Sequence, residues 1–362
     1  MSVESRASRR VAALAWKVAG VLVVVVLVTV AYAAQRMLGE PVVVVPPDSH
    51  DGRQLEFFAI GDQGSGHLRQ WRVTHAMEAV AERDRRVGFV AVLGDNFYSR
   101  GVRGVDDRQW LYKFENVYRG RYLSALPFFA VLGNHDYLGN PEAEIEYSRQ
   151  RRGSGRWRMP AHYYAEDYGQ VDGHPLLRVV YLDSNLTGKE LADQTTFLEQ
   201  ALTRNRERAP IWRAIASHHP LHNFGRHGPP EALGTRSAAQ AMEADGENEG
   251  DAGGFVAAVL GVVRRLQVDF VLSGHDHDQQ IIADGADPVQ IVTGAAGQIP
   301  YAIKRSGPDL RYGASENGFV KIELDPDVMR ISVMGPDGVA RARFRWDRSC
   351  TAGSAVCLKT WG

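Results

Sequence analysis

In the stretch LSGHDHDQQ, residues 272–280, two imidazoles stand two positions apart, His275 and His277, directly after the largely apolar run Val268 to Leu272. If strand geometry persists that far, a period of two sends both to one side. Four other clusters offer donors of compatible kind: Asp62 in GDQG, Asp95 and Tyr98 in GDNFY, Asn134 in GNHD and His218 in SHHP. Each is weak alone, since an aspartate after glycine is often a helix cap, asparagine bonds its own backbone and a tyrosine is most simply a packed aromatic. Together they are seven hard or borderline donors with no thiolate. That exceeds what one tetrahedral zinc needs and suits two metals sharing a carboxylate. Two ions about 3.5 to 4 Å apart clamp the attacking and leaving oxygens of a displacement at phosphorus. The chemistry this implies is phosphate-ester hydrolysis.

The donors need elements to position them, and one pattern recurs from Leu55 onward: an apolar, β-prone run followed at once by a polar cluster. LEFFAI leads into GDQGSG, VGFVAVL into GDNFYSRG, LPFFAVL into GNHDYLGN, IWRAIA into SHHPLHNFG and VDFVLS into GHDHDQQ. Near-continuous apolar runs suit strands covered on both faces. Helix-like segments lie between them, at His67 to Arg86, Asp107 to Arg119 and Gln194 to Arg208. Strand and helix in alternation predict an α/β fold with ligands outside the carboxyl ends of the strands. LLRVVYL and PVQIVTG read as further strands. Gly318 to Trp346, broken by Asp-Pro and Pro-Asp-Gly turns, reads as antiparallel strands. The expected architecture is a sandwich of two mixed β-sheets flanked by helices.

The 362 residues carry 44% hydrophobic and 23% charged residues and a net charge of -1, which makes no electrostatic case for nucleic acid. The N-terminus departs from this average. Arg6, Arg9 and Arg10 precede an uncharged run from Val18 to Ala34. It sits at the short limit for a membrane helix and slightly beyond a signal h-region, while Ala31 and Ala33 offer a small-x-small cleavage pattern. Residues 1–34 are therefore a signal anchor or a cleaved signal peptide, both of which place the rest of the chain outside the cytoplasm. Residues 35–53, proline-containing with a polar tip, read as a linker. A catalytic domain over 54–346 and a tail over 347–362 follow. In an exported chain Cys350 and Cys357 are expected to pair, with neither metal-like nor redox-motif spacing. The segment MEADGENEGDAGG is acidic and glycine-rich and reads as a loop.

GDQG, GDNFY, GNHD, SHHP and GHDH, in that order, resemble the five signature blocks of the purple acid phosphatases within the calcineurin-like metallophosphoesterases. The resemblance is nearest to the small tartrate-resistant branch, and GDNFYSRGV, VLGNHDYLGN, GRWRMPAHYY and the HGP after SHHP add to it. It covers Leu55 to Gly297 well and the C-terminal strands more loosely. It implies a dinuclear centre with Fe(III) at Asp62, Asp95, Tyr98 and His277, and Fe(II), Zn or Mn at Asp95, Asn134, His218 and His275, with Asp95 bridging. Many other metallophosphoesterases carry histidine at the position of Gly64 and lack the tyrosine; here Gly64 and Tyr98 follow the purple pattern. A phenolate favours a ferric ion, which lowers the pKa of bound water enough for a hydroxide nucleophile in acid.

The resemblance also implies that His135 and His227 bind substrate phosphate and protonate the leaving group, as histidines that titrate near working pH can. Asp136 has two readings, as the orienter of His135 or as a helix cap. His219 and His222 have no family counterpart and read as exposed loop residues, and His67, His75, His162 and His174 as structural. Residues Glu231 to Gly254 form an extra stretch beside His227 that would cap the pocket or be an idle insertion. The expected protein is a monomeric acid phosphatase acting on small phosphorylated substrates, nucleotides and phosphoproteins included. A phosphodiesterase or nucleotide-cleaving enzyme on the same site, and a catalytically silent scaffold, are the alternatives.

Overall fold

The computed structural model describes residues 3–38, 43–48, 52–204, 206–228, 252–285 and 287–361. The acidic segment and the extra stretch expected at 231–254 lie outside the described residues, apart from 252–254, which open a helix. The chain divides into two compact units, Met1–Val43 and Val44–Gly362. In the first, helix α1 (Val3–Leu38) contains a span from Leu14 to Tyr32, 19 residues at mean hydropathy 2.5 and fully exposed. At about 1.5 Å per residue this is long and apolar enough to cross a membrane, a property that signal sequences share.

The second unit is built on two sheets. The first runs in the order β15 (Leu358–Thr360), β14 (Ala340–Asp347), β13 (Val328–Met334), β12 (Phe319–Leu324), β1 (Leu55–Ile60), β2 (Val87–Leu93), β3 (Phe128–Val131) and β4 (Trp157–Arg158). The second runs β11 (Leu310–Ala314), β9 (Gln279–Ile282), β10 (Val289–Thr293), β8 (Phe270–Ser273), β7 (Trp212–Ala216), β6 (His174–Tyr181) and β5 (Tyr164–Val171). Both are mixed, as the two kinds of strand pattern predict. β1, β2 and β3 are parallel, as are β6, β7, β8 and β10, while β12 to β15 pair antiparallel. The central strands are buried end to end, which is why they read as unbroken apolar runs: every residue of β1, β8 and β10 is buried. Helices α2 (Leu68–Asp84), α3 (Pro141–Arg149), α4 (Gly188–Thr203) and α5 (Ala252–Arg265) connect the strands.

Two helical expectations shift. The segment 107–119 holds one wide π-type turn, Trp110–Glu115, instead of a full helix. Trp110 stacks on Tyr147 with ring centroids 3.6 Å apart, and Lys113 Nζ donates to the Tyr98 carbonyl and to the side-chain Oε1 of Gln109. Tertiary contacts override local propensity there. The helix expected from Gln194 begins earlier, at Gly188, and ends at Thr203. Cys350 and Cys357 form a disulfide with Cα atoms 5.6 Å apart, beside the short helix α6 (Ser354–Cys357) that leads into β15.

Candidate metal centre

All five polar clusters leave the carboxyl ends of parallel strands. Asp62 follows β1, Asp95 follows β2, Asn134 follows β3, His218 follows β7 and His275 follows β8. The backbone bends sharply at three of these positions: Asp62, Asp95 and His275 have φ of 56°, 53° and 69°. Non-glycine residues rarely adopt this left-handed region, and such outliers gather where a fold holds a site in place. The bend at His275 corrects one sequence argument. β8 stops at Ser273, so strand alternation does not orient His275 and His277; the left-handed turn does.

The donor atoms gather into two groups. In one, the Tyr98 hydroxyl donates to Asp62 Oδ1 at 2.8 Å and lies 2.9 Å from His277 Nε2, which is 3.4 Å from that same Asp62 oxygen. In the other, His218 Nε2 lies 2.9 Å from Asn134 Oδ1 and 3.5 Å from Asp95 Oδ1. Ligand atoms at about 2.0 to 2.2 Å from one ion stand at about these distances from each other. One ligand atom each from Asp62, Asp95 and His218 lie within 4.8 Å of one another, which links the groups through the two carboxylates. His275 belongs to the second side. Its ring lies 5.1 Å from that of His218, and its Nε2 is 2.9 Å from Nδ1 of His227.

Electrostatics agree with a cation site. Asp62 and Asp95 are 0% and 1% exposed. Burial pushes the Asp62 carboxyl up to about 8, with the charge of Asp95 adding to the rise against the opposing pull of His218. Burial, then the Asp62 and Asp95 charges, likewise hold the Tyr98 phenol well above its ordinary range. Paired anions buried this deeply need positive charge beside them. The donors are oxygen and imidazole, a set suited to iron, zinc or manganese.

Glycines let these loops approach one another. A Cβ on Gly133 would stand 2.2 Å from Asp95 Oδ1, and one on Gly64 would stand 1.9 Å from the Asn96 carbonyl oxygen. The second distance explains why this loop architecture has no room for a histidine at Gly64. His135 and His227 flank the donors. His135 Nδ1 donates to the Ser99 carbonyl at 2.8 Å, and its Nε2 is 3.9 Å from Asp95 Oδ2. The main-chain N of His227 donates to Asp276 Oδ1 at 3.1 Å.

The readings of Asp136, His219 and His222 change, while His162 keeps its structural reading. Asp136 neither orients His135 nor caps a helix: it is fully buried and accepts from the main-chain N of Gly133, Asn96 and Phe97. His219 is not an exposed loop residue but is 1% exposed, bonded to Ser184; His222 is half-buried against Phe224. His162 sits in a polar cluster, its Nδ1 2.7 Å from Asp183 and its Nε2 2.6 Å from Glu142. Tyr301, which carries no sequence signal, stacks on His277 with centroids 4.1 Å apart, while Arg226 lies 4.8 Å over its ring. Its distance in sequence from every motif hides it.

Comparison with known proteins agrees with this geometry. A family model described as calcineurin-like phosphoesterase matches residues 48–279. Tartrate-resistant acid phosphatase type 5 of Rattus norvegicus is 25% identical over 335 residues, covering 83% of this chain and 94% of that protein. Among solved structures, GAP50, the anchor in the inner membrane complex of Plasmodium, superposes with a TM-score of 0.65 at 20% identity over 80% of this chain and 87% of that one. The purple acid phosphatase PPD1 from yellow lupin (Lupinus luteus) seeds superposes with a TM-score of 0.60 at 15% identity, over 83% of this chain and 54% of that one. With the family model matching well over half its length and the donors gathered where parallel strands end, this chain belongs to the calcineurin-like phosphoesterase family.

Proposed function

We propose that this chain is a dinuclear-metal acid phosphatase that hydrolyses phosphomonoesters. The observation that carries it is the pair of donor groups, Tyr98 with Asp62 and His277, and His218 with Asn134 and Asp95, each closed to 2.8–3.5 Å between donor atoms. Asp62, Asp95, Tyr98 and His277 would hold Fe(III), and Asp95, Asn134, His218 and His275 would hold Fe(II), Zn or Mn. Such ions supply acidified water and positive charge at the phosphoryl oxygens.

The protein's own part is to bind and to move protons. A carbonyl only accepts, so the bond to Ser99 fixes the proton of neutral His135 on Nδ1 and turns Nε2 toward Asp95 and the donor groups. Protonated at Nε2 in acid, His135 would donate to a phosphoryl oxygen. His227, steadied through its main chain by Asp276, stands beside His275 and would protonate the departing oxygen.

The N-terminal helix and the disulfide support an exported enzyme, held at a membrane by residues 1–34 or released by their cleavage, with 35–53 as linker, 54–346 as catalytic domain and 347–362 as tail. The mass of the mature protein separates anchor from cleaved signal. The deciding experiment measures metal content, the visible spectrum and hydrolysis of aryl monoesters and diesters, in the wild type and in Tyr98→Phe. Iron, a charge-transfer band lost in the variant and monoester turnover at acidic to near-neutral pH are expected. Activity confined to strongly alkaline pH, or to diesters, would overturn the acid phosphatase reading.

A further inference from the structure

His219 lies next to the candidate ligand His218, yet nothing in the seven-donor set uses it. It is 1% exposed. Its main-chain N donates to Ser184 Oγ at 3.0 Å, and its ring Nδ1 lies 2.8 Å from the same oxygen. Among the described residues its Nε2 is buried without a hydrogen-bond partner. Leaving such an atom unsatisfied is unfavourable, so a fold that retains one invites the question of what it meets.

The surroundings point to a cation. The His219 ring centroid lies 4.3 Å from that of His275 and 5.1 Å from that of His218. One ring nitrogen from each of the three lie within 4.8 Å of one another. Three imidazoles converging in a buried space repel when charged and become mutually favourable around a metal ion. The bond to Ser184 has the form seen behind metal-binding histidines, in which the remote ring nitrogen is held by a polar partner so that the near one presents its lone pair. His218 shows the same arrangement, with Nδ1 on the Leu93 carbonyl at 2.9 Å and Nε2 turned to Asn134.

We propose that His219 is a further imidazole donor to the second ion of the pair, positioned by Ser184. This rests on the dinuclear reading above. It raises the imidazoles around that ion from two to three, which favours zinc or ferrous iron over manganese, since manganese prefers oxygen donors.

The test is zinc binding to the chelated full chain, followed by competition with a chromophoric chelator, in the wild type, His219→Gln, His219→Ala and Ser184→Ala. The wild type takes two equivalents. Both His219 variants hold one equivalent as tightly as the wild type and the other about 10–100-fold more weakly, and Ser184→Ala weakens the same equivalent about tenfold. Added imidazole restores the lost affinity in His219→Ala, which a packing role would not produce. Circular dichroism of the metal-free proteins shows which variants fold, with the glutamine variant retaining a polar group in the same space. Two equivalents bound with wild-type affinity in the folded glutamine variant would overturn the assignment to His219 alone. Fewer than two equivalents in the wild type would instead overturn the dinuclear reading, and this proposal with it.

Discussion

Asp136 and Asn96 are joined twice: Oδ2 of Asp136 accepts from the main-chain N of Asn96 at 3.1 Å and from its side-chain Nδ2 at 3.2 Å. The same carboxylate takes the main-chain N of Gly133 and Phe97 at 2.9 and 3.1 Å. The loop carrying Asp95 and Tyr98 is thus tied to the loop carrying Asn134 through one buried side chain that need not touch a metal.

Asp136→Ala takes this acceptor from the main-chain N of Gly133, Asn96 and Phe97, each at about 1–3 kcal/mol, while Asn96 Nδ2 keeps the Val131 carbonyl and Glu144. Urea unfolding should show a loss of several kcal/mol, with Asp136→Asn, which keeps one acceptor, intermediate. A loss below about 1 kcal/mol in the alanine variant would show that the clamp does not matter.

Gly133→Ala places a methyl against both Asp95 Oδ1 and the Asp95 main-chain N, 2.2 and 2.3 Å away. Backbone cannot yield as a side-chain tip can, so the Asp95 carboxylate must move. Displacing a reacting group by about 1 Å can cost about 10²-fold in rate, and kcat should fall at least that far. Steady-state kinetics within twofold of the wild type would contradict the placement of Asp95 at the centre.

His162 gives a pH signature in stability. Its hydrogen bond to Asp183, supported by Glu142, raises its pKa from 6.5 to about 9 despite partial burial. A raised histidine pKa means that the folded state retains a proton that the unfolded state releases. The stabilisation is full below 6.5 and is lost as pH rises through about 9. Thermal midpoints recorded across this window should fall more steeply for the wild type than for His162→Gln, and parallel curves would remove the ion pair from the account.

The disulfide closes a short loop, with a sequence separation of 7 between its cysteines. Chain entropy assigns such a loop about 2.5 kcal/mol. Replacing both cysteines with serine should lower the unfolding free energy by about that amount and leave kcat unchanged, because β15 lies at the sheet edge with three strands between it and β1. An equal loss of activity would tie the tail to the site.

Much of the centre was legible in the residues alone. Unbroken apolar runs mark strands buried on both faces, and a polar cluster after each run falls at the sheet edge where parallel strands end. The types and order of Asp62, Asp95, Tyr98, Asn134, His218, His275 and His277 therefore pointed to a metal centre, and the runs before them to the α/β frame. The tertiary structure alone decided which polar residues are buried and with whom. His219 is inside because Ser184, 35 positions away, meets it. Asp136 is a clamp because the Asn96 loop folds over it. His275 turns through a left-handed bend where strand alternation would have continued. Local pattern records the period of a strand, while burial and hydrogen-bond partnership are properties of contacts between segments far apart in the chain, which no local window contains.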